Sequence, residues 1–523
     1  MTAPRARADA PPMRVAKICG SDVELGNFVL GAGPVDSADF AARALLREIE
    51  GVPWSASAVA DAGETDPQDR ERKFLANGSI YIDLSHVECA TAELPDAWSH
   101  LASWQAMLRI VRRARVAANA RLKSGLTIEV LANNSDGHHA YGTHTNVMIT
   151  RRAWQNLFER RMHHLMFLAA WQVSSIVFTG QGKVGAENGA SPVNYEISQR
   201  ADWFETLVGS QTTHHRPIVN ARDEALCGGW GDGARADDLA RVHSIFFDCT
   251  LSHTATVLRV GVLQVVLAMI EAEQVDPTLV LEDPLDALGR FGHDPELRAR
   301  ARTAAGRNVT AIELQEAFLE RARRFVADGG CDGIVPRADE IVALWADTLA
   351  LLRRGDEDAL VRRLDWVLKR RLLRRAMERR PSLSWRSADV KMLDHLYASV
   401  DEERGLYWQV AASGGSDLLV DEATIRRHET EPPDDTRAYA RAMLLRAAGA
   451  ARVDHVDWDV VRVVRRTRDA ARRIARVDLP DPRRGTRAEV GHLFDGTHDL
   501  EWILHAMDAR PEPARSAAGG SAS

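Results

Sequence analysis

The chain has 523 residues, 45% hydrophobic and 27% charged, with a net charge of −7. That length fits two to four units, or one large domain with a small one, and the acidity argues against general nucleic-acid binding. Five scattered cysteines (Cys19, Cys89, Cys227, Cys249, Cys331), never spaced CxxC, argue against a disulfide framework or zinc site and suit reduced thiols in a cytoplasm.

Residues 1–13 and 509–523, rich in Ala, Pro, Gly, Ser and Arg, are expected to be disordered tails. Val15 to Gly26 reads as a strand whose Asp22 and Glu24 share one face. Two acids so placed are costly unless solvated or sharing a cation. A helix is expected over Ser37–Ile49, then a mobile polar stretch over Ala56–Arg72. In NGSIYIDLSHVECATAE (77–93), Ile80, Ile82 and Leu84 alternate with Tyr81, Asp83 and Ser85, the period of a half-buried strand. Asp83 and Glu88 are an odd number of positions apart, so they converge only through a bulge or turn near Leu84–His86.

A long helix, Ala97 to Lys123, is expected to bury Leu101, Trp104, Leu108 and Val111 and to wet most of Arg109, Arg112, Arg113 and Arg115. Strands at Leu126–Leu131 and Asn146–Thr150 flank NNSDGHHAYGTH. A helix near Trp154–Phe167 and strands at Asn194–Ser198, Arg216–Asn220 and Arg241–Cys249 follow. Beyond them the chain reads as helical over Thr254–Glu273, Ala311–Val326, Ala338–Arg353 and Glu357–Glu378. The apolar run Thr254–Met269 carries Arg259 and Gln264, so a buried helix is expected there and no membrane span. Strands and helices in this order predict an α+β architecture. Pro432–Pro433 marks a linker to a small C-terminal unit.

Gly180, Gly182 and Gly185 match GxGxxG, but AENGASPVN cannot open the helix that a dinucleotide fold requires, so a glycine-rich turn is expected. His138 and His139 read as surface groups on a polar loop. His144 and Asn146 lie on one side of a strand, and His243 reads equally as a core histidine or a site group. Arg200, Arg222 and Arg437 are surface arginines by default, although the guanidinium fork suits phosphate. The runs RRLDWVLKRRLLRRAMERR and VVRVVRRTRDAARR read as solvated helix faces. Carboxylates on two strands, histidines and arginines together suit Mg²⁺-bridged nucleotide phosphates. Residue chemistry alone leads no further than a Mg-nucleotide enzyme.

GSDVELG (20–26), residues 77–93, NNSDGHHAYGTHTN, SQRADW, RPIVNARDE, RVHSIFFD, DWVLKRRLL and PPDDTRAYAR, in this order, resemble the family of the Pup ligase and the deamidase/depupylase of Pup (Dop). The resemblance implies a glutamine-synthetase-like (carboxylate–amine ligase) fold with a curved antiparallel sheet flanked by helices. It divides the chain into a catalytic domain over 14–428 and a small C-terminal domain over 429–508. It further implies ATP (or ADP) and Mg²⁺ as cofactors, with a Pup-like modifier and its conjugates as partners. By the family pattern Asp22, Glu24 and Glu88 hold Mg²⁺, and Asp83 is the catalytic carboxylate. Tyr81, His144, Asn146, Arg200, Arg222, His243 and Arg437 then bind the nucleotide.

FTGQGKVG, LSW (383–385), RGLYWQV, RGTRAEVGHLFD and the spacing D-x-x-H-x-E resemble the depupylase branch, while the short segment between Glu24 and Asn77 does not. Asp22 stands where relatives carry glutamate, Thr145 replaces an acid, Val147 an aromatic and Cys89 a tyrosine, and CTLSH follows Asp248. The leading expectation is a Dop-like amidohydrolase, with an ATP-dependent isopeptide ligase second and a degenerate nucleotide-binding regulator third.

Overall fold

One long strand and several short ones open the computed structural model, which describes residues 13–33, 36–53, 72–137, 139–187, 189–224, 226–227, 238–465 and 473–513. The chain packs as two compact units: residues 20–142, 395–412 and from 418 onward form one; the segment through Cys19, residues 143–394 and residues 413–417 form the other. Most of the expected tails and of the polar stretch 56–72 lies outside the described residues.

In the first of these units, β1 (Cys19–Leu30) buries Val23 and Leu25 between its acids, as the alternation predicts. Helix α1 (Ala38–Arg47), β2 (Val52–Pro53), β3 (Arg72–Leu75), β4 (Gly78–Asp83), β5 (His86–Thr91), α2 (Ala97–Asn119) and β6 (Thr127–Leu131) follow. The sheet runs β1-β5-β4-β3-β2, all antiparallel, with β6 beside the second half of β1. Asp96 caps α2 by accepting from the Trp98 and Ser99 amides. The expected wet face of α2 is largely covered: buried Arg115 pairs with Asp401 at 3.0 Å, Arg112 donates to the Val400 carbonyl, and Arg109 is bound by Glu422. Segments hundreds of residues downstream supply those partners, so helical periodicity could not announce them.

Pro432–Pro433 sits in the loop between the helices Glu422–Thr430 and Arg437–Ala448. After it, Val453–Val456, Val460–Arg465, Arg473–Asp478 and Arg510–Pro513 form a four-stranded sheet. VVRVVR is therefore a strand with Val461 and Val463 inside, and residues 510–513 of the expected tail are an edge strand. The core of this sheet includes Phe74 of β3, so the C-terminal segment packs with residues 20–142.

In the other unit, β7 (Thr143–Thr150) leads into α3 (Arg151–Gln155), a π-helical turn (Asn156–Arg160) and α4 (Met162–Thr179). The single helix expected near Trp154–Phe167 is thus interrupted, with Arg161 leaving the helical region at φ −134°. Next come β8 (Lys183–Gly185), β9 (Val193–Glu196), β10 (Phe204–Gly209), β11 (Arg216–Asn220), β12 (Leu239–Ser244) and α5 (His253–Glu271). β7 pairs antiparallel with β12, β8 with β9, and β10 parallel with β11. Helix α5 is apolar and long enough to cross a membrane, yet it is buried throughout inside the protein. The helices Ala311–Ala327 and Ala338–Arg354 match their expected spans, while Glu357–Glu378 is two helices, Glu357–Leu360 and Asp365–Arg379. The GxGxxG glycines lead into the β8–β9 hairpin. Gly182 has φ +81°, and a Cβ there would fall 2.1 Å from the Tyr195 hydroxyl oxygen. The architecture is α+β, mixing antiparallel sheets with helices, as expected.

Candidate active site

A two-residue turn solves the parity problem between Asp83 and Glu88. Leu84 and Ser85 both have positive φ, 45° and 71°, the signature of a type I′ hairpin turn. Neither is Gly or Asn, and each carries a left-handed cost of about 1–2 kcal/mol. Asn27, fully buried on β1, offsets that cost. Its side-chain amide donates to the Ser85 carbonyl at 3.1 Å, and its carbonyl accepts from the Val87 amide at 2.8 Å. Asn27→Ala should therefore destabilise the protein by about 1–3 kcal/mol, read as a lower urea midpoint. An unchanged midpoint would show that Asn27 does not hold the turn.

The turn sets the register of β4 on β5: Tyr81 faces Glu88 and Asp83 faces His86. On the other side of β5, Glu24 faces Glu88 and Asp22 faces Ala90. Directly opposed residues share a face, so Asp22, Glu24, Tyr81, Asp83, His86 and Glu88 all project from one side of the sheet. Carboxylate oxygens of Glu24, Asp83 and Glu88 lie within 4.8 Å of one another. Glu88 is buried, and burial pushes its pKa well up; the charges of Glu24, Asp83 and Asp22 push it further, against a hydrogen bond from Tyr81. Burial and the charges of Glu88 and Asp22 likewise raise the Tyr81 phenol, while the Arg72 guanidinium lies 4.2 Å from its ring centroid. Carboxylates so crowded fit a hard divalent cation, which takes oxygen donors and reverses the sign of the local field. Cys89, the next residue on β5, is fully buried on the opposite face from the acids.

The second set of expected residues lies in the other unit. His243 of β12 faces Asn146 of β7, whose Oδ1 accepts from His243 Nδ1 at 2.8 Å and from Arg241 at 2.6 Å. The His144 and His243 rings meet edge to face, centroids 4.9 Å apart. Burial and then the positive charges of Arg200, Arg222, Arg241 and Arg216 lower His144 to about 3, and burial with Arg241 lowers His243 well below its usual range. Both imidazoles are neutral at pH 7.

Arg200 is not the surface group that residue type suggests: it is buried and donates to the Ile245 carbonyl at 2.8 Å. Asp248 fixes its backbone neighbourhood, accepting from the amides of Gln181 and Gln199 at 2.8 Å each and from the Ser198 hydroxyl at 2.9 Å. Arg222 is partly exposed and pairs with Glu224. Arg437, back in the first unit, is also buried; with Arg441 it clamps Glu93, at 2.6 and 2.8 Å. Arg259 of α5, buried, donates to Thr145 Oγ1 at 3.0 Å.

The sequence matches the Pup-ligase protein family over residues 14–462. The chain belongs to that family. It is 35% identical over 473 residues to the depupylase of Acidothermus cellulolyticus, covering 90% of each chain. It is 36% identical over 394 residues to the Pup–protein ligase of Acidimicrobium ferrooxidans, covering 74% of this chain and 82% of that one. Among solved structures, the ligase PafA in complex with the prokaryotic ubiquitin-like protein Pup superposes with a TM-score of 0.75 at 23% identity, over 94% of this chain and 93% of PafA. The fold is therefore that of the Pup-ligase family, and the chain is an enzyme of that family.

Within the family frame, sequence reasoning missed Asn27, Arg241 and Glu93. Asn27 directly follows the acidic motif GSDVELG, and a buried Asn beside a turn lacking Gly was the available signal. Arg241 opens RVHSIFFD two residues from His243, hence on the same face of the strand. Glu93 had no signal, because its partners lie more than three hundred residues away.

Proposed function

We propose that this protein is a Dop-like amidohydrolase that removes a Pup-like modifier from lysine side chains, or deamidates the modifier's C-terminal glutamine, with Mg-ATP or ADP as cofactor. The observation that carries the reading is the convergence of Glu24, Asp83 and Glu88 on one sheet face. Glu24 and Glu88, with Asp22, are the magnesium ligands in this reading, and Tyr81 supports Glu88 through its hydroxyl. Bound magnesium supplies positive charge to nucleotide phosphate oxygens. His144, Asn146, Arg200, Arg222, His243 and Arg437 are assigned to nucleotide binding. Asp83 attacks the amide carbonyl, or takes a proton from the attacking water. The C–N bond then breaks, the lysine amine leaves as it gains a proton, and water supplies the oxygen of the modifier's new carboxylate.

The ligase reading is favoured by the similarity to the Acidimicrobium Pup–protein ligase. In it, Asp83 deprotonates the incoming lysine and ATP is consumed. Incubation with Mg-ATP, free Pup and a Pup-conjugated protein separates the two. Release of Pup from the conjugate is expected; formation of new conjugate together with ADP would overturn the hydrolase assignment.

A further inference from the structure

His86 stands directly across the hairpin from Asp83, yet the proposed reaction gives it no part. Its buried ring has a fixed tautomer: Nδ1 lies 3.0 Å from the Leu84 carbonyl oxygen, which can only accept, so Nδ1 carries the proton. The lone pair on Nε2 then points at Asp136 Oδ2, 3.5 Å away. His139 presents Nδ1 to the same oxygen at 3.1 Å, while its Nε2 faces Asp36 Oδ2 at 3.5 Å. The His139 amide donates to Asp136 Oδ1 at 2.7 Å, which turns Oδ2 toward the two rings. Two imidazole nitrogens and a carboxylate oxygen are the donor types that a borderline divalent cation takes. The donor atoms of all three residues fall within 4.8 Å of one another.

We propose that His86, Asp136 and His139 form a site for a transition-metal ion of the zinc type, distinct in its donors from the all-oxygen cluster of Glu24, Asp83 and Glu88. Bonds of about 2.0–2.1 Å in a tetrahedron place donors about 3.3 Å apart, close to both donor spacings seen here. Each histidine also has an outer partner, the Leu84 carbonyl for His86 and the Asp36 carboxylate for His139, the arrangement that orients metal-bound imidazoles. Three protein donors leave one position for water. Ligation of His86 ties the strained Leu84–Ser85 turn to the loop that carries Asp136 and His139, so the ion acts as a positioning element for Asp83. His139 thus moves from the surface group of the sequence reading to a ligand.

The test uses Co²⁺ and Zn²⁺ alone and does not depend on nucleotide or activity. In the full chain carrying Glu24→Gln and Glu88→Gln, which removes the other cluster, Co²⁺ should give the visible absorption of a tetrahedral site. One equivalent of Zn²⁺ should displace it. His139→Ala in that background should weaken metal binding by more than about tenfold while the metal-free melting temperature stays unchanged. Asp136→Asn provides a second variant. No Co²⁺ absorption in the Glu24→Gln/Glu88→Gln parent, or undiminished binding after His139→Ala, would overturn the proposal and leave the hydrolase reading standing.

Discussion

Asp83→Asn should lower release of the modifier by on the order of 10²–10⁴-fold while the protein keeps its stability and its affinity for Mg-nucleotide. The substitution keeps the size of the side chain and removes only its capacity to carry negative charge, attack a carbonyl or accept a proton. Asp83 is the last residue of β4, partly exposed, and presented by a turn whose neighbours are held from two sides. Glu24 and Glu88 ligate in this reading, whereas Asp83 reacts, so the loss should fall on kcat. Single-turnover release from a Pup conjugate measures it. Full activity of Asp83→Asn would remove the catalytic assignment, whatever becomes of the metal.

The second large effect is on stability. Burial alone would raise the pKa of Glu93, but the Arg441 and Arg437 guanidinium groups outweigh it and hold the carboxyl at about 2. A folded-state pKa below the unfolded value contributes stability that is fully present above about pH 4.5 and is lost as the pH falls toward 2. At about 1.4 kcal/mol per pKa unit this is worth about 3 kcal/mol at neutral pH. Glu93→Gln also strands two buried arginines, so the loss at pH 7 should reach about 3–5 kcal/mol. Urea denaturation at pH 7 and at pH 3.5 checks both the size and the sign. The variant should lie far below the parent at pH 7, with the gap narrowed by about 1–1.5 kcal/mol at pH 3.5, where the folded carboxyl is still ionised. An equal gap at both values would show that the clamp is not ionic.

What was legible in the sequence was whatever rests on local period. The β1 alternation around Asp22 and Glu24, the strand Arg216–Asn220, and the long apolar α5 all stand where pattern placed them. The need for a turn between Asp83 and His86 was also legible, because parity demanded it. Its type was not, since Leu84–Ser85 lacks the glycine or asparagine that usually announces positive φ. Where the reading failed, the deciding partner was remote. Arg115 turns inward because Asp401 waits there, Arg200 because of the Ile245 carbonyl, and Arg437 because of Glu93. The helix expected through Trp154–Phe167 broke because a π turn delivers α4 from a new direction, which no propensity encodes. His139 is partly exposed, in keeping with its place on a polar loop, while its ring meets that of His86 edge to face.

The most direct measurement for the acidic sheet face is nucleotide binding by calorimetry with and without magnesium, in the parent and in Glu88→Gln. The account predicts tight binding of ADP only with magnesium in the parent, and a loss of at least about tenfold in Glu88→Gln. Equal affinity in the two proteins, or binding indifferent to magnesium, would contradict the claim that these carboxylates hold the cation.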